Sequence, residues 1–457
     1  MTMIQNLSVI GLGKLGASML AGMASRGFSV IGVDIRESCI RAVNKGRAPV
    51  QETGLEEMIS AHSDRIRATT SHEEAVLASD ISFVIVPTPS DSRGAFELQY
   101  AKYAFEQLGK ALAKKDGYHV VVLTSTVIPG ATRHGLLPVL EAASGKECGR
   151  DFGLCYSPEF IALGSVIHDF LNPDFYLVGE FDRRSGDVLE EVNRAVCLKD
   201  PVVRRMSIEN AEIAKLALNS YVTMKISFAN TLADLCERIP GGDVDVVSDA
   251  LGSDTRIGRR YLTGGLGFAG PCFPRDNVAL GFLCEQVGAD GDLLLANHGY
   301  NTSIAARVTT KIASLLRAGQ TAAVLGLSYK PLSHIVEESQ GVALALAMAE
   351  AGMRVIGYDP LAADGARSAF RDKALVAESI DAALADAALV VVTTPDAHFR
   401  ELKAEEFLGG KESVTVVDCW RCLDPAVADH PDIDYVPIGR CLDDAPAAQV
   451  LEAIWAR

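Results

Sequence analysis

The chain has 457 residues and a formal charge of −16; one hydrophobic core rarely serves so many residues, so two or three domains are expected, and the acidic balance excludes a general nucleic-acid or anionic-membrane surface, which needs a basic face. No apolar run reaches the ~18 to 20 residues that span a bilayer. The ten cysteines show no paired framework and Met1-Thr2-Met3-Ile4 leads into a strand pattern rather than a charged and then apolar leader, so a reducing, cytoplasmic setting is expected.

Short apolar runs alternate with helical patterns from the start: Leu7 to Ile10, Val30 to Val33, Ile81 to Val86, Val120 to Leu123 and Phe175 to Val178. Such runs read as a parallel sheet flanked by helices. Ser207 is placed to cap a helix running to about Arg238, where Pro240-Gly241-Gly242 stops it. At about 1.5 Å per residue that helix is roughly 45 Å long. Its apolar residues cover more than one face, so neighbours or a second subunit should cover it. A further helical stretch, Leu293 to Leu316, leads into a second series: Ala322 to Leu325, Arg354 to Gly357, Leu389 to Val392 and Val414 to Val417. The two series run in parallel, Val9-Ile10-Gly11-Leu12 with Val324-Leu325-Gly326-Leu327 and Val33-Asp34 with Tyr358-Asp359. The expected architecture is α/β, with two doubly wound Rossmann-like domains, 1–205 and 317–457, joined by a long central helix and a helical dimerisation region, 206–316.

Gly11-Leu12-Gly13-Lys14-Leu15-Gly16 follows the first strand and opens a helix, and Asp34 ends the next strand. Gly11 permits the tight turn, Gly13 lets a pyrophosphate approach backbone N–H groups, and Gly16 allows close helix–strand packing. Asp34 would accept from ribose hydroxyls and repel a 2′-phosphate, which favours NAD; Arg36 keeps NADP open. The second sheet opens Gly326-Leu327-Ser328-Tyr329-Lys330 without that fingerprint, so a different ligand is expected there. Lys330 stands at a strand's carboxyl end, either to meet a phosphate or as an exposed solubilising lysine.

Cys272 lies in Gly267-Phe268-Ala269-Gly270-Pro271-Cys272-Phe273-Pro274-Arg275-Asp276. A working thiol needs a nearby cation or helix N-terminus to favour thiolate, and Arg275 and a helix starting near Asp276 would supply both. The competing reading is a small buried hydrophobe. Glu212, Lys215 and Asn219 share a helical face, where Lys215 is either half of a Glu212–Lys215 ion pair or a catalytic cation. Thr126 in Ser125-Thr126-Val127 and Glu159 in Pro158-Glu159-Phe160 follow strands, as reacting groups or as helix caps. Cys419-Trp420-Arg421-Cys422 has a metal-like spacing but no partner pair, so no zinc site is expected.

Together with Val86-Pro87-Thr88-Pro89, Lys215-x-x-x-Asn219, Asp254-Thr255-Arg256-Ile257-Gly258, Tyr261-Leu262 and Gly326 to Pro331, these motifs resemble the nucleotide-sugar dehydrogenases across nearly the whole chain, most closely the UDP-glucose 6-dehydrogenase branch. The resemblance implies an NAD-binding amino-terminal domain, a nucleotide-binding carboxyl-terminal domain and a homodimer built on the central helix. It implies oxidation of a sugar C6 alcohol to a carboxylate with two NAD, through a cysteine thiohemiacetal and thioester. Carried onto this sequence, the catalytic set is Cys272, Lys215, Asn219, Asp276, Glu159 and Thr126. The cofactor set is Gly11, Gly13, Lys14, Leu15, Gly16, Asp34, Arg36, Pro87, Thr88, Thr126 and Arg275. The substrate set is Glu159, Phe160, Ile161, Lys215, Asn219, Arg256, Tyr261, Leu262, Gly267, Cys272, Tyr329 and Lys330, with Lys330 on the phosphates and Arg256 reaching the neighbouring subunit's sugar. Ala162 and Leu163 stand where Arg-Glu often follows, His334, Ile335 and Glu337 replace an Asp-Asp-x-Arg series, and Ala269 and Pro271 replace the usual Gly and Ser beside the nucleophile.

GDP-mannose or a UDP-N-acetylhexosamine are alternative substrates. A single-hydride hydroxyacid dehydrogenase of the 6-phosphogluconate type shares the amino-terminal fold and the Lys-x-x-x-Asn helix, yet needs neither Cys272 nor a second sheet. An inactive nucleotide-sensing scaffold would have no use for Cys272, Lys215, Asn219 and Asp276 together.

Overall fold

A computed structural model describes residues 4–161, 164–317, 319–442 and 444–456. The chain divides into two compact units, Met1–Ala217 and Leu218–Arg457, with the helix Ile208–Cys236 continuing from the first into the second.

The first unit is built on eight strands: β1 (Asn6–Ile10), β2 (Ser29–Val33), β3 (Ile66–Thr69), β4 (Ile81–Val84), β5 (Val120–Leu123), β6 (Gly153–Tyr156), β7 (Phe175–Glu180) and β8 (Val202–Ser207). Their order across the sheet is β3-β2-β1-β4-β5-β6-β7-β8. Pairing is parallel except between β6 and β7, where Tyr156 lies antiparallel to Gly179, so the all-parallel expectation fails at one junction. Strands β4, β5 and β6 are buried along their whole length. Successive residues feed opposite cores: Val120 and Val122 join Leu7, Val9 and Phe83 on one face, while Val121 and Leu123 join Ile10, Val84 and Phe105 on the other. Each such side chain contributes roughly 1.5–3 kcal/mol by leaving water. Because β8 runs to Ser207, this sheet extends past the expected domain limit at 205.

Ser207 also starts the long helix, accepting a hydrogen bond from the Asn210 amide at 3.3 Å. Within the second unit, the helices Phe273–Val287 and Asp292–Ala313 precede a six-stranded parallel sheet. Its strands are β9 (Thr321–Leu325), β10 (Arg354–Tyr358), β11 (Leu375–Val376), β12 (Ala387–Val392), β13 (Val414–Asp418) and β14 (Ile433–Pro437), in the order β11-β10-β9-β12-β13-β14. In both sheets the first strand lies at the centre and the order reverses beside it, which puts a crevice at the strands' carboxyl ends.

Candidate active site

At the first crevice, Gly11 has φ +101°, and its amide donates to the Val33 carbonyl at 2.7 Å. A Cβ on Gly16 would fall 1.9 Å from the Gly11 carbonyl oxygen, so the helix Lys14–Ser25 touches the turn there. A Cβ on Gly13 would meet nothing within 4 Å. Gly13 is also the N-cap and offers no side chain to its helix. The first turn's N–H groups, those of Lys14, Leu15 and Gly16, therefore face an open approach suited to a pyrophosphate.

Asp34 is buried and accepts from the Leu12 amide at 2.9 Å and the Arg36 amide at 2.8 Å, with Arg36 Nε at 3.2 Å. Burial opposes its ionisation, but the hydrogen bonds from Arg36 and Leu12 outweigh it and hold the carboxyl below its ordinary value. Arg36 is thus turned onto Asp34. At the neighbouring strand ends, Ser125 Oγ accepts from the Val86 amide and donates to the Val86 carbonyl, while buried Thr88 donates to the Thr126 carbonyl at 2.7 Å. Pro87 is exposed beside them. This turn, the open helix terminus and the acid that follows β2 together fit a dinucleotide.

Past β6 the same unit holds a cation and an acid. Lys215 is buried, donates to the Glu159 carbonyl at 2.7 Å and lies 4.4 Å from the centre of the Phe160 ring. Phe160 packs on Phe175, and Ile161 joins the core. Burial raises the Glu159 carboxyl to about 7, with Lys215 pulling the other way. Of the two readings of Lys215, the Glu212–Lys215 ion pair is not what the Glu212 hydrogen bonds support. The fully buried Glu212 carboxylate accepts from the Gly130 amide at 2.6 Å and the Thr132 amide at 3.0 Å, bracing the π-helical turn Ala131–Leu136. Ala162 and Leu163 lie outside the described residues.

In the second unit, Asn219 follows Lys215 by one turn of the long helix, and its Nδ2 donates to Asp276 Oδ2 at 2.6 Å. Asp276 is 1% exposed, and its other oxygen pairs with Arg275 at 3.4 Å. The helix expected near Asp276 starts earlier, at Phe273, which makes Cys272 its N-cap. The sulfur therefore sits nearer the helix N-terminus than expected. Of the ten cysteines, all within the described residues, Cys272 alone is exposed, so the small-buried-hydrophobe reading fails. Buried Cys148, by contrast, has its thiol pushed up to about 12 by burial and nearby acids.

Around Cys272, Tyr261 adopts a left-handed φ of +66° and turns edge-on to Phe273 with ring centres 6.1 Å apart, while Leu262 is buried. Tyr329 lies against Gly270, where a Cβ would come within 2.5 Å of its ring. The Lys330 ammonium is 5.6 Å from the Tyr329 ring centre. Arg256 projects outward, 86% exposed by side chain, in an ion pair with Asp254, and Lys225 steadies that segment through the Ile257 and Gly258 carbonyls. His334 and Glu337 are exposed. The Cys419–Cys422 turn wraps a carboxylate: Asp418 accepts from the amides of Trp420, Cys422 and Leu423. Among the described residues no cluster of three potential ligands could hold a metal ion.

Three residues escaped the sequence reading. Gly341 packs its helix on the Gly326 turn as Gly16 does on Gly11, and Asn230 and Asn301 hold the loop before Cys272. No local spacing announces them, because their partners are distant in sequence.

A dinucleotide crevice on one sheet and an exposed cysteine at a helix N-terminus define a dinucleotide-dependent oxidoreductase. Three models of the UDP-glucose/GDP-mannose dehydrogenase family match: the NAD binding domain over residues 5–197, the central domain over 209–303 and the UDP binding domain over 323–425. UDP-glucose 6-dehydrogenase AglM of Haloferax volcanii is 36% identical over 423 residues, 90% of this chain and 97% of its own. GDP-mannose 6-dehydrogenase of Pseudomonas syringae pv. tomato is 31% identical over 90% of this chain and 95% of its own. The structure of a UDP-glucose dehydrogenase from Pyrobaculum islandicum superposes with a TM-score of 0.84 at 32% identity, covering 96% of this chain and 98% of that one. This chain belongs to the UDP-glucose/GDP-mannose dehydrogenase family and carries its NAD-binding domain. No helix among the described residues is long and apolar enough to cross a membrane.

Proposed function

We propose that this chain oxidises the C6 alcohol of UDP-glucose to a carboxylate, using two NAD per sugar, with Cys272 holding the half-oxidised carbon. The observation that carries this reading is the exposure of Cys272 alone among ten cysteines, at the N-terminus of the helix whose first turn carries Arg275 and buried Asp276, the latter bonded to buried Asn219. NAD, when bound, supplies hydride acceptance. Loss of a hydride from C6 and a proton from its hydroxyl leaves an aldehyde. Cys272 adds through sulfur to that carbonyl, and the resulting alkoxide takes a proton, giving a thiohemiacetal. Removal of the second hydride and the hydroxyl proton leaves a thioester, which water cleaves to the acid and the thiol. Lys215 and Asn219 serve as donors to the charged oxygen, a contribution of about 2.7–4 kcal/mol per donor in comparable sites. Asp276, Glu159 and Thr126 move protons and orient water. Tyr329 and Lys330 take the nucleotide phosphates.

The UDP-glucose choice rests on the family's UDP binding domain and on relatives such as AglM; GDP-mannose is the second reading, carried by relatives named for it. A panel of nucleotide sugars scored by NADH yield decides between them. Cys272→Ser should bind NAD normally and fail to produce acid; undiminished acid production would remove sulfur from the mechanism. Tyr221, Phe228 and Leu235, seven residues apart and exposed on the long helix, fit burial against a second copy of the chain. Sedimentation should give a dimer, and Phe228→Glu should shift it toward monomer.

A further inference from the structure

The loop bearing Cys272 is rich in glycine and makes no strand, so its shape must be imposed from outside. Two buried asparagines impose it. Asn230, on the long helix and 3% exposed, accepts from the Gly265 amide at 2.7 Å and donates to the Leu266 carbonyl at 3.0 Å. Asn301, on the helix Asp292–Ala313 and 5% exposed, accepts from the Phe268 amide at 2.8 Å and donates to the Phe268 carbonyl at 3.0 Å. Each side-chain amide turns its oxygen and one N–H to the loop, as the backbone of a neighbouring strand would, so the loop gains a hydrogen-bonded edge without a strand. Gly267 makes this possible: a Cβ there would lie 2.3 Å from Asn301 Oδ1 and 2.9 Å from Gln340 Oε1. Immediately downstream, Gly270 rests on the Tyr329 ring, and the chain enters its helix at Cys272.

We propose that Asn230 and Asn301 are positioning residues for Cys272, fixing residues 265–268 so that the sulfur meets the aldehyde before it escapes. The inference rests on Cys272 being the nucleophile. Neither asparagine acts on the sulfur directly; both act through the loop. Burial makes the clamp strong, because removing one side-chain amide strands an N–H and a C=O away from water. An error of about 1 Å in such an attack geometry costs on the order of a hundredfold in rate.

The test uses the full-length protein with Asn301→Leu, Asn301→Asp and Asn230→Asp, each first shown to be folded by thermal melting. NADH per sugar is measured with hydroxylamine present to trap aldehyde. The expected result is a yield falling from two toward one, with aldehyde oxime appearing, while the first-hydride rate and the KM for NAD change less than about threefold against the hundredfold scale of a misplaced nucleophile. In Asn301→Asp the yield should recover as pH falls, because a protonated carboxyl again donates to the Phe268 carbonyl. Should Asn301→Leu fail to fold, the two aspartate variants decide. Variants that keep two NADH per sugar and release no aldehyde, or that lose both hydride steps equally, overturn the inference. If Cys272→Ser itself yields two NADH, it is the nucleophile reading that falls.

Discussion

Gly11 and Gly326 close the first strand of their sheets with nearly one backbone: φ is +101° and +106°, and the amide reaches the carbonyl that ends the neighbouring strand, Val33 at 2.7 Å and Tyr358 at 2.9 Å. Each turn is then touched by a helical glycine, Gly16 or Gly341, whose Cβ would fall about 2 Å from the turn's carbonyl oxygen. The following acid repeats as well, since Asp34 accepts from the Leu12 amide and Asp359 from those of Leu327 and Ser328. What differs is the chain between turn and helix. Gly16 follows Gly11 by 5 residues, whereas Gly341 follows Gly326 by 15, and the insertion carries Tyr329 and Lys330. The turn's stereochemistry belongs to the fold, and the two sheets differ in what is threaded between turn and helix.

The sharpest way to break that equivalence is to add a methyl at both glycines. Gly341→Ala places carbon 2.1 Å from backbone oxygen and Gly16→Ala 1.9 Å, and neither backbone can yield as a flexible side chain would. Each variant should lose about 3 kcal/mol or more, the upper end for overpacked cores, read by thermal unfolding. Gly16→Ala should also abolish NAD binding. A Gly341→Ala protein as stable as the parent would show that the second turn only imitates the first.

Next in size is Gly13→Ala. Its new methyl meets nothing within 4 Å of the protein, so the melting temperature should hold while NAD affinity falls at least about tenfold, roughly 1.4 kcal/mol of lost binding. Titration of cofactor fluorescence measures it. Equal affinity in the variant would mean the pyrophosphate does not approach this helix terminus.

The acids beyond the central strands sharpen the contrast. Asp418 in the second sheet is saturated by three backbone amides and the Tyr435 hydroxyl at 3.0 Å, which makes it a structural knot. Glu159 in the first is raised by burial to about 7, with Lys215 opposing. Its folded pKa lies above its unfolded value, so folding favours the protonated form, and stability from this group falls as pH rises from about 4.5 through 7. If Glu159 takes up a proton during turnover, kcat should rise with pH along a limb near 7, and Glu159→Gln should erase that limb while lowering kcat. A limb that persists in Glu159→Gln belongs to another group.

Much of this was legible because central strands are continuous apolar runs: Val120–Leu123 and Leu389–Val392 announce themselves. The strands that were missed lack that signal. β3, β8 and β14 are edge strands in which Arg67, Arg204 and Asp434 face water, and β11 has only two residues. The reversal of β7 against β6 has no sequence mark, since both directions bury the same side chains. Gly11 to Gly16 could be read because six residues hold the whole turn, whereas the same contact at Gly326 and Gly341 was hidden by its long insertion. The partners of Glu212 were out of view for a related reason: its hydrogen bonds run to Gly130 and Thr132, about 80 residues away, and nothing local distinguishes them from the neighbouring Lys215.

The smallest effect tests the helix termini themselves. The helix Gln340–Glu350 is capped by buried Ser339, whose Oγ accepts from the Val342 amide at 3.4 Å, where the first sheet's helix has only Gly13. That distance is long for such a bond, so Ser339→Ala should cost toward the lower end of the usual range for a lost cap, about 0.5–1 kcal/mol in urea unfolding. Ser339→Gly, which copies the arrangement at Gly13, should cost only a few tenths. If nucleotide is held by the insertion and not by this terminus, UDP affinity should change less than about twofold in both, a shift below about 0.4 kcal/mol. A tenfold change in either direction would mean that the second helix terminus receives phosphate, and the division of labour proposed between turn and insertion would have to be redrawn.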